Sequence, residues 1–435
     1  MKRSKIQELF EWKNKPNRKP LIVQGARQVG KTWLLNEFGR TAYANVAYVN
    51  CYDNPRMAAL FQGAPDVATV IAGLKAECRV EINPADTLII LDEIQDVPRA
   101  LAYLKIFCEQ AAQYHVAAAG SMLGVAMHAG ISFPVGKVDF VDLAPLSFGE
   151  FLLAAGEPQL ADMRKAAPSA LTAAFRERFV SLLKTYFFTG GMPEVVAAFC
   201  ANRSWKEARD IQREILLAYE LDFSKHAGRD SIARIRGAWR SLPAQLAKEN
   251  KKFVYGVVRE GARAKEYENA LLWLEDAGLI RRVRRVTAPR VPLASYADAA
   301  VFKLYHLDIG LLSAMAGLDE KTLLEGSAIF TEFKGALTEQ FAFQELSQTF
   351  DDCRYYWTRE KSEAEVDCLL QHGGDIFPVE IKAGENLRSK SLRSYAQTYA
   401  PKKAIRLSLS DYRDEGWLLN LPLWLASKLK NFLPA

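Results

Sequence analysis

Eight consecutive residues of this 435-residue chain, Gly25-Ala26-Arg27-Gln28-Val29-Gly30-Lys31-Thr32, have the spacing GxxxxGK[ST]. Each residue type in that spacing has a use if the ligand is a row of phosphates. Glycines let the backbone turn so that successive N–H groups face anionic oxygens, and a helix beginning there adds partial positive charge. The lysine reaches the β and γ phosphates, and the hydroxyl after it holds magnesium. Gly25 to Thr32 is therefore the expected ATP cradle, with Lys31 on phosphate and Thr32 on Mg.

A second pair of residues adds turnover to binding. Thr87-Leu88-Ile89-Ile90-Leu91 is an unbroken apolar run that ends in Asp92-Glu93. Carboxylates at the carboxyl end of a parallel strand lie where such sheets hold ligands. Asp92 is suited to position magnesium through water, and Glu93 to polarise an attacking water as general base. Another run, His115 to Ala119, leads into Gly120-Ser121, which places a hydroxyl where it can meet the γ phosphate or that water.

These groups work only if strands deliver them to one edge. From Pro20 to Leu143, short apolar runs (Leu21 to Gln24, Val46 to Asn50, Thr87 to Leu91, His115 to Ala119, Val138 to Leu143) alternate with helical stretches. That alternation predicts an α/β fold, a parallel sheet with helices on both faces, over residues 1–150. A helical connector is expected over 151–228, broken at Gly190-Gly191-Met192-Pro193. The stretch 229–325 reads as a compact mixed module: a helix near Ile232 to Leu246, a short strand Lys252 to Val258, a helix Ala264 to Ala277, then strand, turn and strand from Leu279. Residues 326–435 read as an α+β segment.

Composition agrees with several folded domains: 49% hydrophobic and 25% charged residues, with a net charge of only +6. The six cysteines form no CxxC pair, and the five histidines are too scattered for a metal site or a triad. No GxSxG is present, and no run is long and apolar enough to span a membrane. Reduced thiols and a cytoplasmic location are expected.

Two further clusters carry chemistry. Leu279 to Val286 contains Arg281, Arg282, Arg284 and Arg285, which suit contact with DNA phosphates or, alternatively, the protection of a solvated edge strand. Near the C-terminus, Gly373-Gly374 suits a two-residue hairpin turn. With that turn, His372 pairs with Asp375, and Asp367 falls opposite Glu380 on one face with Lys382. Opposed carboxylates repel unless something compensates. A second magnesium would do so. The competing possibility is a solvated hairpin on which Glu365 pairs with Lys382.

GARQVGKT, TLIILDEIQDVP, the AAGS turn and LAPLSFGEF together resemble the AAA-type ATPase domain (AAA_14-like) of a large bacterial and archaeal family. YFFTGGMPEVV, YELDFSKHAG and FKLYHLDIGLL resemble marker segments of that family's C-terminal companion, the DUF4143 domain of unknown function. The resemblance implies an additional-strand P-loop fold, a winged-helix-like module over 229–325, and a restriction-endonuclease-like region over 326–435 in which Glu339 resembles a further acidic metal ligand. Where the family favours Gly-Arg this chain has Gly136-Lys137, so no role passes to Lys137 and no arginine finger is assigned. The resulting expectation is an ATPase that couples nucleotide state to a nucleic-acid or protein partner. Its rivals are an ATP-regulated metal-dependent nuclease and an ATP-switched binding module with a vestigial nuclease fold.

Overall fold

A computed structural model describes residues 1–63, 66–121, 133–165, 170–226, 229–248, 251–322, 328–350, 353–359, 364–384 and 389–434. They form two compact units, one of residues 2–144 with 276–278, the other of 145–275 and 279–435 with residue 1. Among the described residues, no helix is long and apolar enough to cross a membrane, and all six cysteines are free thiols.

The first unit is built on a five-stranded sheet of β1 (Leu21–Gly25), β2 (Asn45–Asn50), β3 (Thr87–Asp92), β4 (His115–Ser121) and β5 (Asp139–Asp142). The order is β2-β3-β4-β1-β5 and every pairing is parallel, so β4 lies between β1 and β3 as the additional strand. All residues of β3 and β4 are buried. That explains why both read as continuous apolar runs rather than alternating ones. The register pairs Gly25 with Ser121 and Asn50 with Asp92, which brings the carboxyl ends of β1, β3 and β4 to one edge.

The second unit holds a mixed eight-stranded sheet. Its strands are β6 (Ile280–Val286), β7 (Ala297–His306), β8 (Tyr355–Thr358), β9 (Glu365–His372), β10 (Asp375–Ile381), β11 (Ala404–Ser408), β12 (Arg413–Asp414) and β13 (Leu418–Pro422). Their order is β12-β13-β11-β10-β9-β8-β6-β7. Two local expectations change here. Residues 252–258 form no strand: Phe253 N bonds Phe302 O at 2.8 Å and stacks its ring on Phe302, after which Tyr255–Val258 coils into one helical turn. The arginine-rich strand β6 is neither an edge nor a two-stranded wing, because it pairs with β7 on one side and β8 on the other.

The break at Gly190-Gly191 has a packing reason within this unit. Asp308 caps the helix Ile309–Met315 through Leu311 N and also accepts from Gly191 N at 2.6 Å. A Cβ on Gly190 would stand 2.1 Å from Asp308 Oδ1, and one on Gly310 would stand 2.4 Å from Gly190 N. YFFTGGMPEVV and FKLYHLDIGLL are thus two halves of one interlock that only glycine permits. Burial pushes the Asp308 carboxyl up to about 6, against the pull of its N–H donors.

Candidate functional site

The cradle begins where β1 ends. Gly25 has φ 147° and a Cβ there would lie 2.2 Å from Leu143 O, so the position requires glycine. Gln28 and Gly30 are also left-handed, and the helix Lys31–Ala42 starts directly after Gly30. Ala26 and Val29 are buried beneath the turn. Arg3 supports it from outside by bonding Val29 O at 2.8 Å and Ala144 O.

Lys31 is 7% exposed, and its ammonium bonds the carbonyl oxygens of Gly25 and Ala26 at 3.0 and 2.7 Å. Burial lowers it to about 8, while Glu93 and Asp92 oppose that fall. Thr32 Oγ1 lies 2.7 Å from Asp92 Oδ2, which also accepts from the Tyr48 hydroxyl at 2.9 Å. A hydroxyl and a carboxylate side by side are hard oxygen donors of the kind magnesium takes, so these two residues fit the ion expected with ATP.

Glu93 follows β3 in a left-handed conformation, φ 51° and ψ 44°, which is uncommon for a residue with a side chain. Its carboxylate receives Ser121 Oγ at 3.1 and 2.9 Å and the Gln95 amide at 2.6 Å. Burial alone would raise this acid. The bonds from Gln95 and Ser121, with the charges of Lys31 and Arg27, outweigh that and hold it below the usual carboxylate value. Ser121, expected to face phosphate or water, is thereby placed on Glu93. Tyr48, Gln95 and Arg3 were not singled out by sequence: none belongs to the GxxxxGK[ST] spacing, and only the register of β2 and the turn after Glu93 bring the first two in.

The C-terminal set is less tightly gathered. Gly373 and Gly374 both have positive φ, and the ladder runs from His372 with Asp375 to Cys368 with Val379. The ladder ends there, one step short of Asp367 and Glu380. Asp367 Oδ2 accepts from Ile381 N at 2.7 Å. Burial and then Glu339 push Asp367 up to about 7. Glu380 Oε1 meets Lys382 at 2.9 Å. Glu339 is paired with Lys251 and receives the Tyr305 hydroxyl at 3.1 Å. The pairing of Glu365 with Lys382 does not form, because Lys303, 1% exposed on β7, reaches Glu365 at 2.5 Å. Among the described residues, no three His, Cys, Asp or Glu side chains stand as a metal-ligand group.

The arginines of β6 divide. Arg282, 3% exposed, meets Glu268 at 2.7 Å and Glu275 at 2.9 Å beneath the Phe302 ring. Arg285 pairs with Asp298 at 2.6 Å. Neither is arranged for phosphate; Arg281 and Arg284 keep part of their surface in solvent. Lys137 pairs with Glu109 at 2.8 Å.

Comparison with known proteins agrees with this geometry. Residues 17–152 match the model of an AAA domain, and residues 334–424 match a domain of unknown function, DUF4143. Residues 180–322 match another, DUF8612. The interlocked segments YFFTGGMPEVV and FKLYHLDIGLL therefore fall in DUF8612 rather than in DUF4143. Uncharacterised proteins of Mycobacterium tuberculosis and Mycobacterium bovis are each 25% identical over 385 residues, covering 86% of this chain and 73% of theirs. Among solved structures, a Walker-type ATPase of Pyrococcus abyssi aligns at 13% identity over 72% of this chain and 94% of its own, with a TM-score of 0.43. AMPPCP-bound DnaA of Aquifex aeolicus aligns at 13% identity over 62% and 86%, with a TM-score of 0.24. Residues 17–152 are thus similar to AAA domains, and one chain joins them to a segment similar to DUF4143.

Proposed function

We propose that the chain binds ATP with magnesium at Gly25 to Thr32, hydrolyses it with Glu93 as base, and works in the cytoplasm. The observation that carries this reading is the convergence of Lys31, the Thr32–Asp92 contact and the Glu93–Ser121 contact on the carboxyl ends of β1, β3 and β4. Magnesium, held by Thr32 Oγ1 and through water by Asp92, would neutralise charge on the phosphates. Lys31 supplies a fixed positive charge from a buried position, where it counts for more than in water. Glu93, kept ionised by its neighbours, takes a proton from the attacking water.

Nucleotide state is read out by a nucleic-acid or protein partner in this proposal, with DNA contact resting on Arg281 and Arg284. Phosphate release by the wild type is measured alone, with DNA and with RNA, alongside ATP binding by Lys31→Ala. Loss of tight binding in Lys31→Ala supports the site. Wild-type binding by that variant overturns it.

A second reading, an ATP-regulated nuclease, is favoured by one observation: Glu380 Oε2 is buried with no hydrogen-bond partner. In it Glu339, Asp367 and Glu380 would hold a divalent ion and Lys382 would orient water. Manganese titration of the wild type and of Asp367→Ala/Glu380→Ala tests it, and identical curves remove it.

A further inference from the structure

Gln95 lies on the single 3-10 turn Ile94–Asp96 that directly follows Glu93. The left-handed backbone at Glu93 turns the chain sharply, and the side chain two residues on comes back to its carboxylate. A carboxylate can only accept, so the amide end touching Glu93 Oε2 must be the nitrogen. This settles the orientation of a planar group whose two ends otherwise look alike. The carbonyl, Gln95 Oε1, then points away from Glu93. That oxygen is buried and has no hydrogen-bond partner.

An acceptor buried unpaired is unfavourable, and beside a reacting centre it calls for a donor. Four donors around Glu93 and Asp92 are already engaged. Ser121 Oγ bonds the Glu93 carboxylate, Thr32 Oγ1 and the Tyr48 hydroxyl bond Asp92, and Lys31 bonds the turn that carries it. An attacking water has two protons, and Glu93 accepts one. The other needs an acceptor if the oxygen lone pair is to be aimed rather than left to rotate.

We propose that Gln95 is a positioning residue: its amide nitrogen holds Glu93 and its Oε1 takes the second proton of the attacking water as a hydrogen bond. No bond is made or broken at Gln95. The water oxygen forms the new bond to phosphorus, its first proton passes to Glu93, and the bridging oxygen leaves with the electron pair of the broken bond. This inference rests on the assignment of Glu93 as base.

The test uses the full chain with Gln95→Leu and the near-isosteric Gln95→Met, each checked for an unchanged melting transition. Two affinities are measured by calorimetry: one for a non-hydrolysable ATP analogue, one for ADP with aluminium fluoride, which imitates phosphate under attack by water. The ATP analogue is expected to bind within about twofold of the wild type, and the aluminium fluoride complex to weaken by about tenfold or more. Equal weakening of both, or of neither, overturns the positioning role. Glu93→Gln is run alongside: if it hydrolyses ATP at the normal rate the base itself is wrong, whereas a dead Glu93→Gln with an unaffected Gln95→Met removes only the role of Gln95.

Discussion

Replacing Glu93 with glutamine is the most incisive perturbation of the site, because it changes charge and basicity while leaving shape almost untouched. Ser121 and Gln95 both donate to the present carboxylate, at 2.9 and 2.6 Å. An amide in its place keeps one acceptor, which can face Gln95, and the Ser121 hydroxyl can rotate to accept from the new NH2. The folding cost should stay within about 1 kcal/mol, one ordinary hydrogen bond exchanged for another. The kinetic cost is much larger. A positioned general base contributes about 10²- to 10⁴-fold, which at 1.36 kcal/mol per tenfold is roughly 3–5 kcal/mol of barrier. ATP binding should survive, since Lys31 and the Gly25 to Thr32 turn that meet the phosphates in the ground state are left in place. Single-turnover phosphate release and calorimetric ATP binding are the paired assays. Turnover that falls less than about tenfold with intact binding would refute the assignment, since the other carboxylate on this edge, Asp92, is engaged by Thr32 and Tyr48.

Three other outcomes follow from the geometry. Arg282→Ala should destabilise the chain by roughly 2–4 kcal/mol in urea, less than for a fully buried pair because Glu268 is half exposed, while Arg284→Ala should stay within about 0.5 kcal/mol. If the chain binds DNA through β6, Arg281→Ala/Arg284→Ala should lower the slope of log affinity against log salt by about 1 for each phosphate no longer neutralised, and an unchanged slope places DNA elsewhere. Asp308 carries a raised folded value near 6 against 3.8 unfolded, so its contribution to stability is fullest below pH 4 and is lost as pH rises through 6. The stability advantage of wild type over Asp308→Ala should therefore shrink by up to about 3 kcal/mol between pH 4 and 7, and a constant difference in chemical denaturation would contradict the buried carboxyl.

The strands that carry the candidate site were legible because burial on both faces leaves uninterrupted runs such as TLIILD, and because a glycine-lysine spacing admits few other uses. The contacts of Glu93 were not, since they depend on which strand lies next to which: β4 enters between β1 and β3, and that crossover alone delivers Ser121. The hairpin register around Gly373-Gly374 was readable for a local reason, two positions tolerating positive φ. Its ion pairs were not, because Lys303 arrives from β7, more than sixty residues away in sequence, and displaces the partner that counting along the hairpin suggests. Strand β6 misled in the same way. Four arginines signal solvent or phosphate, yet a strand can be flanked on both sides and still feed arginines to acidic partners, Arg282 to Glu275 and Arg285 to Asp298.

The continuous ladder from β7 to β12 limits how the protein can be dissected. Cutting the chain between residues 306 and 355 would separate β6 from β8 and leave each fragment with a raw row of backbone donors and acceptors, lined by apolar residues such as Val286 and Trp357. Fragments with such edges stick to one another. A recombinant piece beginning at residue 326 is thus expected to aggregate during expression, whereas one that begins near residue 145 and runs to the end keeps the sheet whole and should remain dispersed.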